Sequence, residues 1–434
     1  MKRKGAMVIA IFLVAIMVPS VFAGGGRTEA SGAKQKLTFM NWDDSSNSPE
    51  PLREYVRQFN AANNFNVEVV FDDTQAGLTK TKLPTLMASG SEPDLFHAWI
   101  GDYLRPYYEA GKLLSLTQAF NSDRAFKDQF NESALGAVTY ADGNIYGFPC
   151  VMWADVAFYN KRIFDQLNLK IPDTYDELLA ACAVIKNSGL GIVPIAEGNR
   201  DAWPLANTCS TIIDRLGGQI VPDIMAGRRE WTDPVFVQAA NRLKEMIPYF
   251  PDGYNALLTS DADNLFITGR AAVIMNGSWT ADTILGPDSQ LSSEDVVVKS
   301  LPLFPEGRGD PKSFTGHYSP ALVISRSTKN ADAAIAFGKG YFTREWQQKI
   351  MDLGQISSLK SSLFDLSRMP PLRRTIFDLM SQATNMQLYY DVMFGDVVGV
   401  EYNNVIQGIL GGNDPAAAFA RFNQFYKDNY VVAK

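Results

Sequence analysis

Histidine is almost missing from this chain, with two among 434 residues, and cysteine occurs only three times. A three-histidine zinc centre is therefore excluded, and no His/Cys cluster takes its place. Cys150, Cys182 and Cys209 are too few for a disulfide scaffold and leave at least one thiol unpaired within the chain. A bridge between Cys182 and Cys209 is conceivable in an oxidising compartment, but separate buried thiols are the plainer expectation. The catalytic patterns G-x-S-x-G, H-E-x-x-H, G-x-x-x-x-G-K-[ST] and G-x-G-x-x-G do not occur, so no motif calls for a nucleophile, a metal or a cofactor. Past the N-terminus no uninterrupted apolar run approaches the roughly 18 residues that a membrane helix needs. Positive charge is also in deficit, with 40 Lys and Arg against 47 Asp and Glu, which argues against nucleic acid or an anionic membrane surface as partner.

What is present begins with a targeting segment. Lys2, Arg3 and Lys4 precede an apolar run from Ala6 to Val18, and Pro19-Ser20-Val21-Phe22-Ala23 offers small residues where a signal peptidase reads. Residues 1–23 are thus expected to be a cleaved signal peptide and residues 24–36, rich in Gly, Ser, Ala and Thr, a flexible leader. Removal of the three basic residues takes the formal charge from −7 to −10. No cysteine stands at the cleavage point to carry a lipid, so release into a periplasm is expected.

Five of the tryptophans sit in short polar stretches: Asn41-Trp42-Asp43-Asp44, His97-Ala98-Trp99, Met152-Trp153-Ala154-Asp155, Asp201-Ala202-Trp203-Pro204 and Asn276-Gly277-Ser278-Trp279. An indole bracketed by amide, hydroxyl and carboxylate groups suits a sugar, whose C–H face it covers while the neighbours bind the hydroxyls. Taken singly, each of these tryptophans is equally well an ordinary core or hinge residue. Trp231 and Trp346, in helical surroundings, read as packing residues.

A chain of this length exceeds one hydrophobic core, so two lobes are expected. Leu37 to Met40 reads as a buried strand. Glu50 to Asn63 has helical spacing, Val67 to Phe71 alternates as a strand, Thr79 to Ser89 is helical, and Pro93 to Phe96 starts a third strand. That alternation is the rhythm of a parallel sheet covered by helices. Further strands are expected at Val156 to Tyr159, Ala271 to Met275 and Ala321 to Ile324, and helices at Leu178 to Lys186, Pro204 to Leu216 and Pro234 to Ile247. Thr174 with Glu177 three residues on forms a capping box, and nearly everything after Asn330 is helical in period.

Several ordered landmarks, among them Pro93-Asp94-Leu95-Phe96, Asp142-Gly143-Asn144-Ile145-Tyr146-Gly147-Phe148-Pro149, Phe158-Tyr159-Asn160-Lys161-Arg162-Ile163-Phe164 and Gly269-Arg270-Ala271-Ala272-Val273 through Gly277-Ser278-Trp279, span nearly the whole mature chain. In their order and spacing the sequence resembles the extracellular solute-binding proteins of ABC importers, in the carbohydrate-binding group typified by maltose-binding protein. The resemblance implies an α/β, two-lobe periplasmic-binding-protein fold of class II, each lobe a mainly parallel sheet flanked by helices, with a hinge and an interlobe cleft. It places an N-terminal lobe at residues 36–146 plus 280–327 and a C-terminal lobe at 147–279 plus 328–434. It implies a monomer that captures a carbohydrate by hinge closure and delivers it to the permease subunits of an ABC importer.

The same resemblance implies the ligand-binding set Trp42, Asp43, Trp99, Asp102, Trp153, Glu197, Asn199, Trp203, Trp279, His317, Tyr318, Tyr390, Asp391 and Phe394. Trp42 and Trp279 are the expected platforms. The bland alternatives are a helix cap or turn bond for Asp43, a satisfied hinge histidine for His317 and a solvated helix residue for Asp391. Two rival readings stand beside this one. A secreted glycoside hydrolase would need two carboxylates astride the scissile bond, for which Asp43 and Glu197 are the available pair. A binding protein for a glycerophosphodiester, polyol or polyamine would share the fold. A phosphate ligand calls for Arg or Lys in the cleft and a polyamine for several carboxylates around aromatic walls, whereas the few cations and moderate acidity of the candidate set favour a neutral polyol or saccharide.

Overall fold

The computed structural model describes residues 34–42, 50–218 and 220–430. The signal peptide, all but the last residues of the leader, and Asp43 lie outside them. Twelve strands occur among the described residues: β1 Gln35–Trp42, β2 Val67–Thr74, β3 Leu95–Ala98, β4 Phe148–Pro149, β5 Val151–Asn160, β6 Val193–Ala196, β7 Ala271–Gly277, β8 Val296–Ser300, β9 Ser313–Tyr318, β10 Ala321–Ile324, β11 Ile356–Ser357 and β12 Asn385–Leu388.

They form two sheets. The first has the order β2-β1-β3-β10-β4. Its β1, β2 and β3 run parallel, with Gln35 opposite Val67 and Trp42 opposite Thr74, so β1 and β2 end level at one edge. Leu37, Phe39, Leu95 and Phe96 are fully buried there, as expected for strands covered on both faces. The helices Glu50–Ala62 and Ala76–Ser89 connect these strands.

The second sheet is built on β5, the longest strand, in the order β12-β9-β5-β7-β6 with β8 and β11 also on β5. Here the expected mainly parallel arrangement gives way. β5 is antiparallel to β7, β8, β9 and β11, and only β6 with β7 and β12 with β9 run parallel. The reason is directional: β5 enters this sheet straight from β4 of the other, whereas β9 runs the opposite way to return.

Three crossings join the sheets side by side, at Cys150, at Ser319-Pro320 and at Ser358. Cys150 N–H donates to the Pro320 carbonyl (2.9 Å), Ser319 N–H to the Val151 carbonyl (2.9 Å) and Ser358 N–H to the Cys150 carbonyl (3.1 Å). Hydrogen bonding between adjacent crossings makes them one continuous ribbon, the form a hinge takes.

The lobe allocation differs from the expected one. Within 280–327 only β10 joins the first sheet; β8 and β9 pair with β5, and Ala281, Ile284 and Leu291 pack in the core beside the second. Conversely, the helices Ala331–Tyr341 and Arg344–Asp352, expected in the second lobe, bury Phe337, Tyr341, Trp346 and Ile350 against the first. Tyr55 Oη also donates to the Phe337 carbonyl (2.7 Å). The chain crosses at Ser319-Pro320 and does not rejoin the second sheet until β11, so the helices between belong with β10. The stretch after Asn330 also contains two short strands, β11 and β12, which its helical period does not announce.

Elsewhere the reading holds closely. The capping box is formed, Thr174 Oγ1 accepting from Glu177 N–H (3.3 Å) and the Glu177 carboxylate from Thr174 N–H (3.1 Å). Trp231 is fully buried among Phe236, Tyr390, Phe394 and Phe422, and Trp346 packs on Tyr55. Cys150, Cys182 and Cys209 are three separate buried thiols.

Candidate functional site

Between the sheets lies a cleft of about 660 Å³, in the range of small-molecule sites. It opens where β1 and β3 reach their C-terminal ends, the place where open α/β sheets hold ligands. Trp42 ends β1 and Trp99 follows β3, so both indoles arrive at the same rim. Their ring centroids are 4.2 Å apart. Behind them His97 is fully enclosed, its Nδ1 accepting from Trp42 N–H (3.3 Å), and burial pulls its pKa down to about 3. Lys80, in the helix Ala76–Ser89, carries its Nζ 4.8 Å from the Trp99 ring and 5.1 Å from Tyr103. It also stands 3.9 Å from the Asp391 carboxylate.

The opposite wall is made by Trp153, Trp203, Trp279 and Tyr389. Trp279 meets Trp153 at 6.2 Å and 76°, Trp203 at 6.0 Å and 62°, and Tyr389 at 6.4 Å and 71°. In each of these contacts the edge of one ring meets the face of the other; Trp203 and Trp279 stay partly exposed, whereas Trp153 and Tyr389 are buried. Trp153 is fixed through Nε1 donating to the Ser319 carbonyl (2.8 Å). Tyr389 is fixed through its hydroxyl donating to Asp155 (2.7 Å). Burial raises the Asp155 carboxyl to about 7 against the opposing hydrogen bond from Tyr389, with Asp391 adding a smaller push upward.

Polar groups complete the lining: Asp201, Asn207, Asp263, Thr283, His317, Ser319 and Asp391. Burial, with a smaller contribution from Lys80, holds His317 neutral at a pKa of about 3, so its ring keeps one donor and one acceptor. Burial raises Asp263 to about 7. Four buried atoms of lining residues make no hydrogen bond within the protein: Trp42 Nε1, Asp263 Oδ1, His317 Nδ1 and Ser319 Oγ. An unsatisfied buried polar group costs about 1–3 kcal/mol, and a hydroxylated ligand would relieve it.

Of the residues singled out from sequence, Trp42, Trp99, Trp153, Trp203, Trp279, His317 and Asp391 converge on the cleft. The others do not. Asp102 is drawn to Arg105 (2.8 Å) and covered by the bend at Gly395. Glu197 folds back to accept from Gly198 N–H (3.0 Å), and burial raises it to about 8. Asn199 donates to Asn255 (2.8 Å) and accepts from Leu205 N–H (3.2 Å), which makes it a turn fastener. Tyr318 alternates with His317 along β9 and so faces the other side of the sheet, where its hydroxyl meets Ser133 (2.8 Å). Tyr390 and Phe394 pack around Trp231.

Lys80, Asn207, Asp263, Thr283 and Tyr389 line the cleft without having been singled out from sequence. Asn207 enters it one turn into the helix Trp203–Gly217, so its place follows from that of Trp203 by helical spacing. Tyr389 is displaced by one position from the expected Tyr390, a register that only the packing of Tyr390 on Trp231 decides. Lys80 and Asp263 lie on helices whose spacing carries no ligand signal. Among the described residues no group of three or more His, Cys, Asp or Glu is placed to hold a metal ion, and no helix is long and apolar enough to cross a membrane.

Comparison with known proteins agrees with this geometry. Residues 43–348 match the family model of the bacterial extracellular solute-binding proteins, and the chain belongs to that family. An uncharacterised ABC transporter extracellular-binding protein of Pyrococcus horikoshii is 27% identical over 60% of this chain and 61% of its own length. The alignment thus spans less than two thirds of that relative. Among solved structures, a protein from a study of xylan utilization by the thermophilic bacterium Caldanaerobius polysaccharolyticus superposes with a TM-score of 0.82 at 27% identity, covering 90% of this chain and 99% of that one. A chitin oligosaccharide binding protein superposes with a TM-score of 0.81 at 25% identity, covering 92% and 99%. The two-lobe fold of class II is therefore the fold of this protein.

Proposed function

We propose that this protein is the substrate-binding component of an ABC-type sugar importer, which captures a saccharide between its lobes and presents it to a membrane permease. The observation that carries this reading is the cleft itself: aromatic rings on both walls, with unpartnered buried polar atoms at Trp42, Asp263, His317 and Ser319 between them. Rings cover the C–H faces of a sugar and the polar atoms meet its hydroxyls. The relation to a chitin oligosaccharide binding protein and to a protein of xylan utilization supports a saccharide over the non-sugar solutes. Glu197, one of the two carboxylates a glycoside hydrolase would call on, is turned into its own loop, which supports binding without hydrolysis.

In this reading the lobes follow the sheets, with the boundary at the three hydrogen-bonded crossings. The protein acts as a monomer in the periplasm after removal of residues 1–23, and closure about the crossings supplies the second set of contacts. A thermal-shift screen against xylo-, chito- and malto-oligosaccharides, polyols and polyamines tests it, since a ligand bound only by the folded state raises the melting temperature. A rise with one saccharide series, the sugar being recovered intact, is the expected result. A rise with charged solutes alone would overturn the saccharide reading.

A further inference from the structure

Trp279 is held from behind by a set of contacts that reaches well away from the cleft. The indole lies back against Gly277, so a Cβ at position 277 would clash with three of its ring carbons. Ser278, between them, is buried and fastened to β5 on both sides: its N–H donates to the Ala154 carbonyl (2.8 Å) and its Oγ accepts from Ala154 N–H (3.3 Å). The Ser278 carbonyl accepts from Arg373 Nη1 (3.1 Å). Arg373 also pairs with Asp282, whose own N–H donates to the Trp279 carbonyl (2.7 Å).

Arg373 comes from a distant helix, Pro371–Met380, and is 2% exposed. Its methylene chain fills the space that a side chain at Gly354 would occupy, and Gly354 has a φ of +86°. Two glycines therefore make room, one for the indole and one for the arginine that grips the turn. A buried ion pair of this kind contributes little net stability over an apolar replacement, whereas its geometry fixes the turn carrying the central ring of the wall.

We propose that Arg373 and Gly277 are positioning residues for Trp279, setting the angle at which it faces ligand. The proposal rests on the reading of Trp279 as a sugar platform. Its consequence extends past one side chain, because Trp153, Trp203 and Tyr389 all meet Trp279 edge-on and a tilt of its ring is transmitted to each.

The test uses the full mature chain and the variants Gly277→Ala, Arg373→Met and Arg373→Lys, each first checked for a cooperative melt. Oxidation of tryptophans by N-bromosuccinimide, mapped by peptide mass spectrometry, needs no ligand. The rate at Trp279 should change at least threefold in Gly277→Ala and Arg373→Met, change less in Arg373→Lys, and leave Trp99 unaltered. Unchanged reactivity at Trp279 in both of the first two overturns the proposal. Calorimetry with chitotriose and xylotriose supplies a second readout: Arg373→Met should weaken binding about tenfold in the parent and less than twofold in a Trp279→Ala background. An equal loss in both backgrounds would show that Arg373 acts on the fold at large and not through Trp279. Failure of both sugars to bind the parent counts against the saccharide reading, and the oxidation rates still decide the positioning role. Should Arg373→Met not fold, Gly277→Ala decides by the same readouts with the ion pair intact.

Discussion

The two walls of the cleft are built by different physics. On the first, Trp42 and Trp99 lie against each other at 4.2 Å and Lys80 approaches Trp99 and Tyr103, so part of each ring face is already used within the protein. On the second, Trp279 meets Trp153, Trp203 and Tyr389 edge to face, and Trp153 and Tyr389 are tied down by hydrogen bonds to the Ser319 carbonyl and to Asp155. On the first wall only Trp99 of the two indoles keeps part of its surface exposed, whereas on the second the hydrogen-bonded Trp153 and Tyr389 are buried and both Trp203 and Trp279 stay partly exposed. The second wall is accordingly the one organised to receive a flat ligand.

That contrast is broken most directly by Trp279→Ala set against Trp99→Ala. Loss of an open, central ring should cost about 3 kcal/mol of binding, roughly a hundredfold in Kd, whereas loss of a ring already half covered should weaken binding only about tenfold. Titration calorimetry with the best saccharide from the thermal-shift screen measures both. Equal losses would mean that the walls share the ligand evenly and that the edge-on geometry is irrelevant.

The groups behind the walls titrate in opposite senses. Burial holds His97, behind Trp42, near a pKa of 3 and raises Asp155, behind Tyr389, to about 7. A neutral buried histidine contributes stability above its unfolded value near 6.5, and that contribution is lost as pH falls toward 3. A carboxyl whose pKa is raised by folding contributes stability below its unfolded value near 3.9, and that contribution is lost as pH rises toward 7. The two oppose each other across nearly the same window, so a variant separates them better than the parent's own curve. Between about pH 4 and pH 7 the urea stability of Asp155→Asn should gain on that of the parent by an amount on the order of 3 kcal/mol. A constant difference across that window would mean that Asp155 is ionised throughout. With two histidines in the chain, imidazole NMR gives a separate check on the first wall: both rings should remain neutral at pH 5.

Much of this was legible in the sequence, and unevenly so. The helix Glu50–Ala62 and the strands around it follow clear periodicity, and Trp42, Trp99, Trp153, Trp203 and Trp279 declare themselves by their polar neighbours. What escaped depends on distance in the chain. Tyr318 and Tyr390 fail by one register position, because the face a strand residue presents, or the side a helix-start residue takes, is set by partners such as Trp231 that lie far off in sequence. The lobe allocation of residues 328–352 turned on whether the chain returns to the second sheet at 328 or only at β11, and local composition carries no signal for a crossing. Nothing in the sequence around Arg373 signals the burial that Gly354 and Asp282 give it.

The smallest effect expected is at Lys80, and it probes the first wall alone. Its ammonium is partly exposed, over Trp99 and Tyr103 and 3.9 Å from Asp391, so solvent screens both attractions. A cation over an aromatic face at such a site contributes about 0.5–1 kcal/mol. Lys80→Met should thus weaken saccharide binding only severalfold, and that difference should shrink as salt is raised from about 0.05 to 0.5 M, because the Debye length shortens across that range. A loss as large as that of Trp279→Ala, or one indifferent to salt, would mean that Lys80 donates directly to the ligand and that the first wall recognises it by charge-assisted hydrogen bonding instead of by shape.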